Sequence, residues 1–455
     1  MCTPRYRLSV LALIASLICL SVDARAQSSS TRDVEVLTLE QAIAIALREN
    51  QQVRNAALDV NRSGEDFAGS RTRRLPSFNF QVLATQQLTP IDFTFEKGVF
   101  GNYPGIGPIP AENTKLSTPL KPTAIFITQV SQPLTKLHKI NLNLKQAELK
   151  TELAREELRA KRQQIVRDVK RAYFALLQTQ SALDAAAETV KMYKELDRVT
   201  LDYLAQQVVL KNEGLDVKSR VARSEYDTLT LVDQLDVQKQ QLNRLLARDV
   251  LVDFSVTAAP DADSFESDLV AARARALEQR PETREARLKV KQAETDRRLK
   301  KAEYIPDISA TFQHFSTANF NSVIPKSYMN IGVSVTWEAF DWGRKKHELA
   351  EKDLAAAQAR NAVRDAESGV LIDVSDKFNK LRQTRQMLAV TQLGRDAAVE
   401  NVRVQTNRYK VQMSLLKDVL QAQMQLEQAN DEGRQALLAY WTAKAEFETA
   451  IGEEK

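Results

Sequence analysis

Leu39-Glu40-Gln41-Ala42-Ile43-Ala44-Ile45-Ala46-Leu47 opens a stretch that runs to Leu75-Pro76-Ser77-Phe78, and the stretch recurs from Leu269-Val270-Ala271-Ala272 to Ile305-Pro306-Asp307-Ile308. A constant offset of 230 residues aligns the two copies without a gap. Ala42, Ala44, Ala46 and Leu47 fall on Ala272, Ala274, Ala276 and Leu277, and Pro76 falls on Pro306. Arg54, Ala56, Leu58 and Val60 fall on Arg284, Ala286, Leu288 and Val290. Each copy reads as one helix of over thirty residues, stopped by a proline and followed by a strand. Two Ala-rich helices share Ala and Leu by chance, but not also a proline at one distance before an alternating run. The chain is therefore a duplicated architecture, with a first repeat over 27–260 and a second over 261–455.

Downstream of each proline the hydrophobic period changes from 3.6 to 2. Phe78, Phe80 and Val82 alternate with Ser77, Asn79 and Gln81, and a partner run covers Ala124 to Val130. In the second copy Ile308, Ala310 and Phe312 alternate with Ser309, Thr311 and Gln313. Ile331, Val333, Val335 and Trp337 then alternate with Gly332, Ser334 and Thr336. The strand pairs are expected within 75–134 and 305–341. Apolar residues on one face and Ser, Thr, Asn and Gln on the other suit a barrel with lipid outside and water inside. A small soluble sheet alternates in the same way. Strand length, aromatics in each pair and long loops favour the barrel, with Phe78, Phe80, Val82, Ile331, Val333, Val335 and Trp337 towards lipid. Four strands cannot enclose a channel alone and an open edge in lipid is forbidden, so that reading requires an oligomer.

The rest is helical. Leu134 to Glu213 contains neither Gly nor Pro. Val169, Leu176, Leu183 and Val190 recur every seven residues, as do Val374, Leu381, Leu388, Val402 and Tyr409 with Arg395 interrupting. These are coiled-coil seams. The first hairpin tip is expected near 208–216, with its turn at Asn212-Glu213-Gly214, and the second near 410–418, around Gln412-Met413-Ser414-Leu415. Each half then reads helix, strand, strand, long helix, turn, helix.

Composition agrees. The 455 residues hold only 13 Gly and 13 Pro, with 27% charged residues, a mixture that suits long helices. A net charge of +5 without a separate basic cluster gives no nucleic-acid signal. Residues 1–26 read as a secretory signal: Arg5 and Arg7, an apolar core from Leu8 to Leu20, and Ala24-Arg25-Ala26 before Gln27. That core is too short to span a bilayer. Both cysteines, Cys2 and Cys19, fall inside the 1–26 signal, and Ser16-Leu17-Ile18 does not make Cys19 a lipidation site.

No catalytic constellation, metal set or cofactor cradle is present in the sequence. His347-Glu348-Leu349-Ala350-Glu351 starts like a zinc-protease helix, but Glu351 stands where that motif needs His. Gly105-Ile106-Gly107 runs into Pro108 without a phosphate-binding Lys. The acidic residues interleave with Lys and Arg at helical spacing, as solvated surface pairs do. No enzyme is expected, and no cofactor.

Over essentially its whole mature length the chain resembles the TolC-like outer-membrane efflux protein family. The resemblance rests on Leu37-Thr38-Leu39-Glu40-Gln41-Ala42, Leu75-Pro76, Ile305-Pro306, Phe340-Asp341-Trp342-Gly343-Arg344, Arg408-Tyr409 and Asp418-Val419-Leu420-Gln421-Ala422-Gln423. It implies a homotrimer, with a 12-stranded barrel in the outer membrane and a helical tunnel in the periplasm. It further implies a passive duct joined by a periplasmic adaptor to an inner-membrane transporter, in efflux or type I secretion. The alternative is the adaptor itself, which would need a lipoyl-like domain flanking one hairpin; no such segment is evident.

The resemblance also implies a gate at the tips. Asp216 and Tyr409 are similar to an acid and a tyrosine that tie the coils shut, and Asp418 to an acid lining the constriction. The family's further acid is Gln421 here, and Leu210 and Gln412 stand where it usually has Gly. Asp216 and Asp418 also suit a simpler role, as acids in the first turn of a helix.

Overall fold

The computed structural model describes residues 35–117, 120–207, 210–258, 268–319, 326–411 and 413–453. The secretory segment 1–26, with Cys2 and Cys19, lies outside them.

The duplication is visible element by element. Helices α1 (Leu39–Glu49) and α2 (Gln51–Thr72) are matched at the same offset by α5 (Leu269–Gln279) and α6 (Pro281–Ala302). Each copy is thus two helices, where the sequence had suggested one. Asn50 breaks the first at φ −58 and ψ 127, and Arg280 breaks the second at φ −66 and ψ 133. The chemistry of both breaks is local. Thr38 and Gln41 close a capping box on α1, and the Asn50 side chain then caps α2, accepting from the Gln52 N–H at 2.8 Å. In the second copy Pro281 takes the first helical position, where its missing N–H costs nothing.

The long helices are α3 (Lys136–Ala205) and α7 (Arg344–Lys410), of 70 and 67 residues. They return as α4 (Lys211–Leu245) and α8 (Leu416–Ala450), each of 35 residues. At 1.5 Å per residue α3 alone is ~105 Å long. Above the breaks the helices neighbour one another in the order α2–α3–α6–α7, and below them α4–α3–α8–α7. Among the described helices only α3 and α7 run through both levels.

The strands continue the upper order. β2 (Ser77–Gln86), β7 (Pro122–Pro133), β9 (Asp307–Ala318) and β10 (Ser327–Thr336) form one antiparallel sheet in the order β10-β9-β7-β2. β2 follows α2, β7 precedes α3, β9 follows α6 and β10 precedes α7, so the sheet inherits the helix sequence strand for strand. Between β2 and β7 lie two short ribbons, β3 (Asp92–Phe95) with β6 (Thr114–Ser117), and β4 (Asn102–Tyr103) with β5 (Gly107–Pro108). Near the helix breaks β1 (Glu35–Leu37) pairs in parallel with β8 (Phe254–Val256).

Two apolar cores sit at the junction of the levels. One gathers Leu37, Ala46, Val169, Tyr173, Leu176, Leu242 and Phe254, and the other Ala276, Val374, Leu381, Tyr440 and Phe447. The seam residues Val169, Leu176, Val374 and Leu381 are all buried here. Truncating any one of the leucines to Ala costs about 2–5 kcal/mol. Trp441 of α8 packs against both cores. The Tyr173 hydroxyl, whose pKa burial pushes up, donates to the β1–β8 junction, with the Leu37 and Thr257 carbonyls at 3.1 and 2.9 Å. Between the halves Lys170 meets Glu448 at 2.7 Å, and Glu446 binds Arg171 and Lys377 at 2.7 and 3.2 Å.

The first tip falls earlier in the chain than its glycine suggests. Helix α3 stops at Ala205, Gln207 takes φ 61, and α4 begins at Lys211. Asn212, Glu213 and Gly214 therefore lie inside α4. A mid-helix Gly costs only about 1 kcal/mol, and a Cβ added at Gly214 would stand 3.8 Å from Leu204 across the hairpin. At the second hairpin α7 ends at Lys410 and α8 begins at Leu416.

Candidate functional site: the sheet faces and the hairpin tips

Residues directly opposite across a ladder share a face. Phe78, Val130, Phe312 and Ile331 lie in one row across all four strands. Phe80, Val82, Val333 and Val335 fall on the same face by alternation, and Trp337 follows one residue beyond β10. All seven expected lipid-facing residues are solvent-exposed in the single chain, from 48% at Val82 to 85% at Ile331.

The other face is polar at the helix end. Ser77, Ser131, Thr311 and Gly332 make one row, and Asn79, Gln129, Gln313 and Asn330 the next. Four adjacent amides thus cross the whole sheet. Further from the helices the polarity fails: Gln81 is followed in register by Ile127, Phe315 and Tyr328, with the two rings stacked at 5.0 Å. The sequence runs ended at Gln313 and began again at Ile331, so Phe315 and Tyr328 lay outside them.

At the turn from β10 into α7, Asp341 caps the helix. Its carboxylate accepts from the Lys345 and Gly343 N–H at 2.9 and 3.1 Å, and those bonds hold its pKa down. Trp342 adopts φ 56 and is 89% exposed, its ring against Phe340 at 4.8 Å. Among the described residues no helix is long and apolar enough to cross a membrane.

At the tips the acids take different places. Asp418 is the third residue of α8, and its carboxylate accepts from the Leu415 N–H at 3.0 Å. It performs the helix-start role. Asp216 sits a turn further into α4, beyond that role, and accepts from Arg220 at 3.0 Å. Arg220 also lies close to Tyr193 of α3. Asp216, Arg220 and Tyr193 thus gather where the two arms of the first hairpin meet within one chain. Tyr409 is the penultimate residue of α7. Leu210, Leu215, Val411, Met413 and Leu415 are all exposed around the two turns. Tyr193 was read from sequence only as a seam residue and Arg220 was not singled out, although the Asp-Arg spacing of four was legible as a helical pair.

A duplicated sheet that carries the apolar row Phe78, Val130, Phe312 and Ile331 on one face, continued by helices ~100 Å long, defines a protein built to lead from a bilayer into an aqueous compartment. The outer membrane efflux protein family matches residues 42–248 and 272–453, and the chain belongs to that family. Solved structures share the fold. They include the outer-membrane channel OprN, with a TM-score of 0.73, 18% identity and coverage of 91% of this chain and 89% of that one. The CmeC outer membrane channel of Campylobacter jejuni has a TM-score of 0.75 at 14% identity, covering 91% and 85%. The MtrE outer membrane channel of Neisseria gonorrhoeae, solved in an open state, has a TM-score of 0.69 at 17% identity, covering 91% and 89%. No curated protein matches the sequence.

Proposed function

We propose that this outer membrane efflux protein works as a homotrimeric exit duct. It would carry substrates passively from a periplasmic adaptor and an inner-membrane pump to the exterior, in a tripartite efflux or type I secretion system. The observation that carries the reading is the pair of unpaired edges. The sheet ends in β2 on one side and β10 on the other, and an open edge in lipid leaves backbone groups unsatisfied at several kcal/mol each. The helices at the same margins carry exposed apolar residues at whole-turn spacing. On α4 these are Leu215, Tyr226 and Val237, eleven apart, and on α7 Leu354, Ile372 and Val390, eighteen apart. Neighbouring copies would cover strands and helices in one closure. An adaptor has no use for an apolar sheet face of this kind, which disfavours that reading.

Asp216, Tyr409 and Asp418 form the gate in this reading. Asp216 and Tyr409 tie hairpins together, and Asp418 shapes the constriction. The exposed leucines and methionine at the turns would meet the adaptor. An outer-membrane fraction run unheated on a denaturing gel tests the assembly: a heat-sensitive trimer is expected, and a monomer in an aqueous periplasmic extract would overturn it.

A further inference from the structure

Beneath the polar face of the sheet lies a cavity of about 640 Å³. It is bounded by the end of α2, the start of β2, the end of β7 and the start of α3. It is lined by Arg73 and Lys136, by Ser70, Thr72, Ser77 and Ser131, and by the apolar Leu75 and Ile140. Both cations are exposed, and neither has an ion pair or side-chain hydrogen bond among the described residues. The nearby acids are committed elsewhere. Asp307 is held by Lys139 at 2.7 Å, Glu303 by Lys300 at 2.7 Å, and Asp66 by Lys150 at 2.9 Å. The cavity is thus a positive, hydroxyl-rich recess with apolar residues in its lining, and α3 begins beside it without a side-chain cap, which adds the positive end of its dipole.

Its place matters as much as its charge. Ser77 and Ser131 belong to the hydroxyl row, one step below Asn79, Gln129, Gln313 and Asn330. This is the face opposite Phe78 and Ile331. On the duct reading given above, on which this inference rests, that face lines the lumen and the recess opens where the tunnel meets the barrel.

We propose that the recess is a transit site for organic anions, compounds bearing a sulfonate, phosphate or carboxylate on an apolar body. The oxyanion is held between Arg73 and Lys136 and handed to the hydroxyl and amide rows; the apolar body rests on Leu75 and Ile140. Three copies would set such sites around the barrel mouth, and clefts lined by one sign of charge concentrate the opposite ion.

The source of the anion is the lumen rather than the membrane, and the test separates the two. Protein reconstituted in neutral phosphatidylcholine bilayers is titrated with naphthalene-1,3,6-trisulfonate from the barrel side, with spermine as the cationic control. Block of the current by the trisulfonate but not by spermine is expected, with a loss of at least about tenfold in blocking affinity in the Arg73→Gln/Lys136→Gln double variant, the ratio that 1.4 kcal/mol represents. Lys139→Gln, which removes the neutraliser of Asp307, should also weaken block. Wild-type current without block, or equal block in the double variant, overturns the site. Block abolished by adding phosphatidylglycerol assigns the recess to a lipid headgroup and overturns it too. Absence of any wild-type current overturns the duct reading itself, and the site with it.

Discussion

Asn50 joins two helices end to end. Its side-chain amide donates to the Leu245 carbonyl, the last residue of α4, at 2.8 Å, while its oxygen accepts from the Gln52 and Val53 N–H at 2.8 and 3.4 Å. One buried side chain thus serves the C-terminus of a lower helix and the N-terminus of an upper one. Asn50→Ala removes a cap, worth about 1 kcal/mol, and orphans a carbonyl, worth about 1–3 kcal/mol. Asn50→Asp keeps the cap and loses the donor, so its melting temperature should fall between wild type and Asn50→Ala. Identical melting of both variants would remove the joint from the list of stabilising contacts.

The second joint uses a glycine. Gly452 follows α8 at φ 89, and its carbonyl accepts from Gln163 at 3.0 Å. A Cβ there would meet the Gln279 Cβ at 3.0 Å and the Gln279 backbone at 3.1 Å. Gly452→Ala should lower thermal stability by about 1–2 kcal/mol, since left-handed backbone disfavours Ala. Gly433→Ala, with nothing within 4 Å of the added carbon, should not. Chemical denaturation of the two variants side by side checks the contrast.

The sheet gives a face-specific outcome. Val333→Arg places a charge on the apolar face at a cost of about 2–4 kcal/mol at the midplane, and should reduce the trimer recovered from outer membranes. Ser334→Arg, in register with Ser309 on the polar face, should assemble. Equal recovery of both would remove the assignment of faces.

At the first tip Asp216→Ala frees Arg220, which lies close to Tyr193 of the other arm. Resting single-channel conductance should rise in Asp216→Ala and in Tyr409→Phe. Asp418→Ala should instead fray the start of α8 at a cost of about 1 kcal/mol, visible as faster amide exchange there. Unchanged conductance in the first two variants would leave the acids with a structural role alone.

The bond between the halves carries a pH dependence. Burial pushes the Glu446 carboxyl up, but the hydrogen bonds and charges of Arg171 and Lys377 outweigh it, and the net shift is downward. A depressed carboxylate stabilises the fold above its unfolded pKa of about 4.3 and loses that contribution as pH falls through the lower folded value. The melting advantage of wild type over Glu446→Gln should therefore be full near neutrality and shrink below about pH 4. An advantage that persists in acid would assign it to packing.

Periodicity and duplication were the legible part of the fold. A proline before the first strand of each pair, with alternation in all four, placed the strands, and seven-residue spacing found Val169, Leu176, Val374 and Leu381, which the structure buries. The breaks at Asn50 and Arg280 escaped because the apolar period runs through them; only Asn50 as a cap and Pro281 as a first helical residue betrayed them. Gly214 drew the turn towards itself, although the helix absorbs it and Gln207 makes the turn. The recess at Arg73 and Lys136 joins residues far apart in sequence, so no local pattern could reveal it.

Because α4 and α2 meet at Asn50 while α3 passes beside them unbroken, the lower half of the molecule is a lever with a built fulcrum. The arm from Leu245 to Lys211 spans ~52 Å, so a rotation of ~10° at the joint sweeps the tip by ~9 Å. The mechanical advantage is set by the length of α4, and α8 repeats it residue for residue, with 35 in each. Lengthening one arm by two turns without the other would leave the fulcrum intact and mismatch the two strokes.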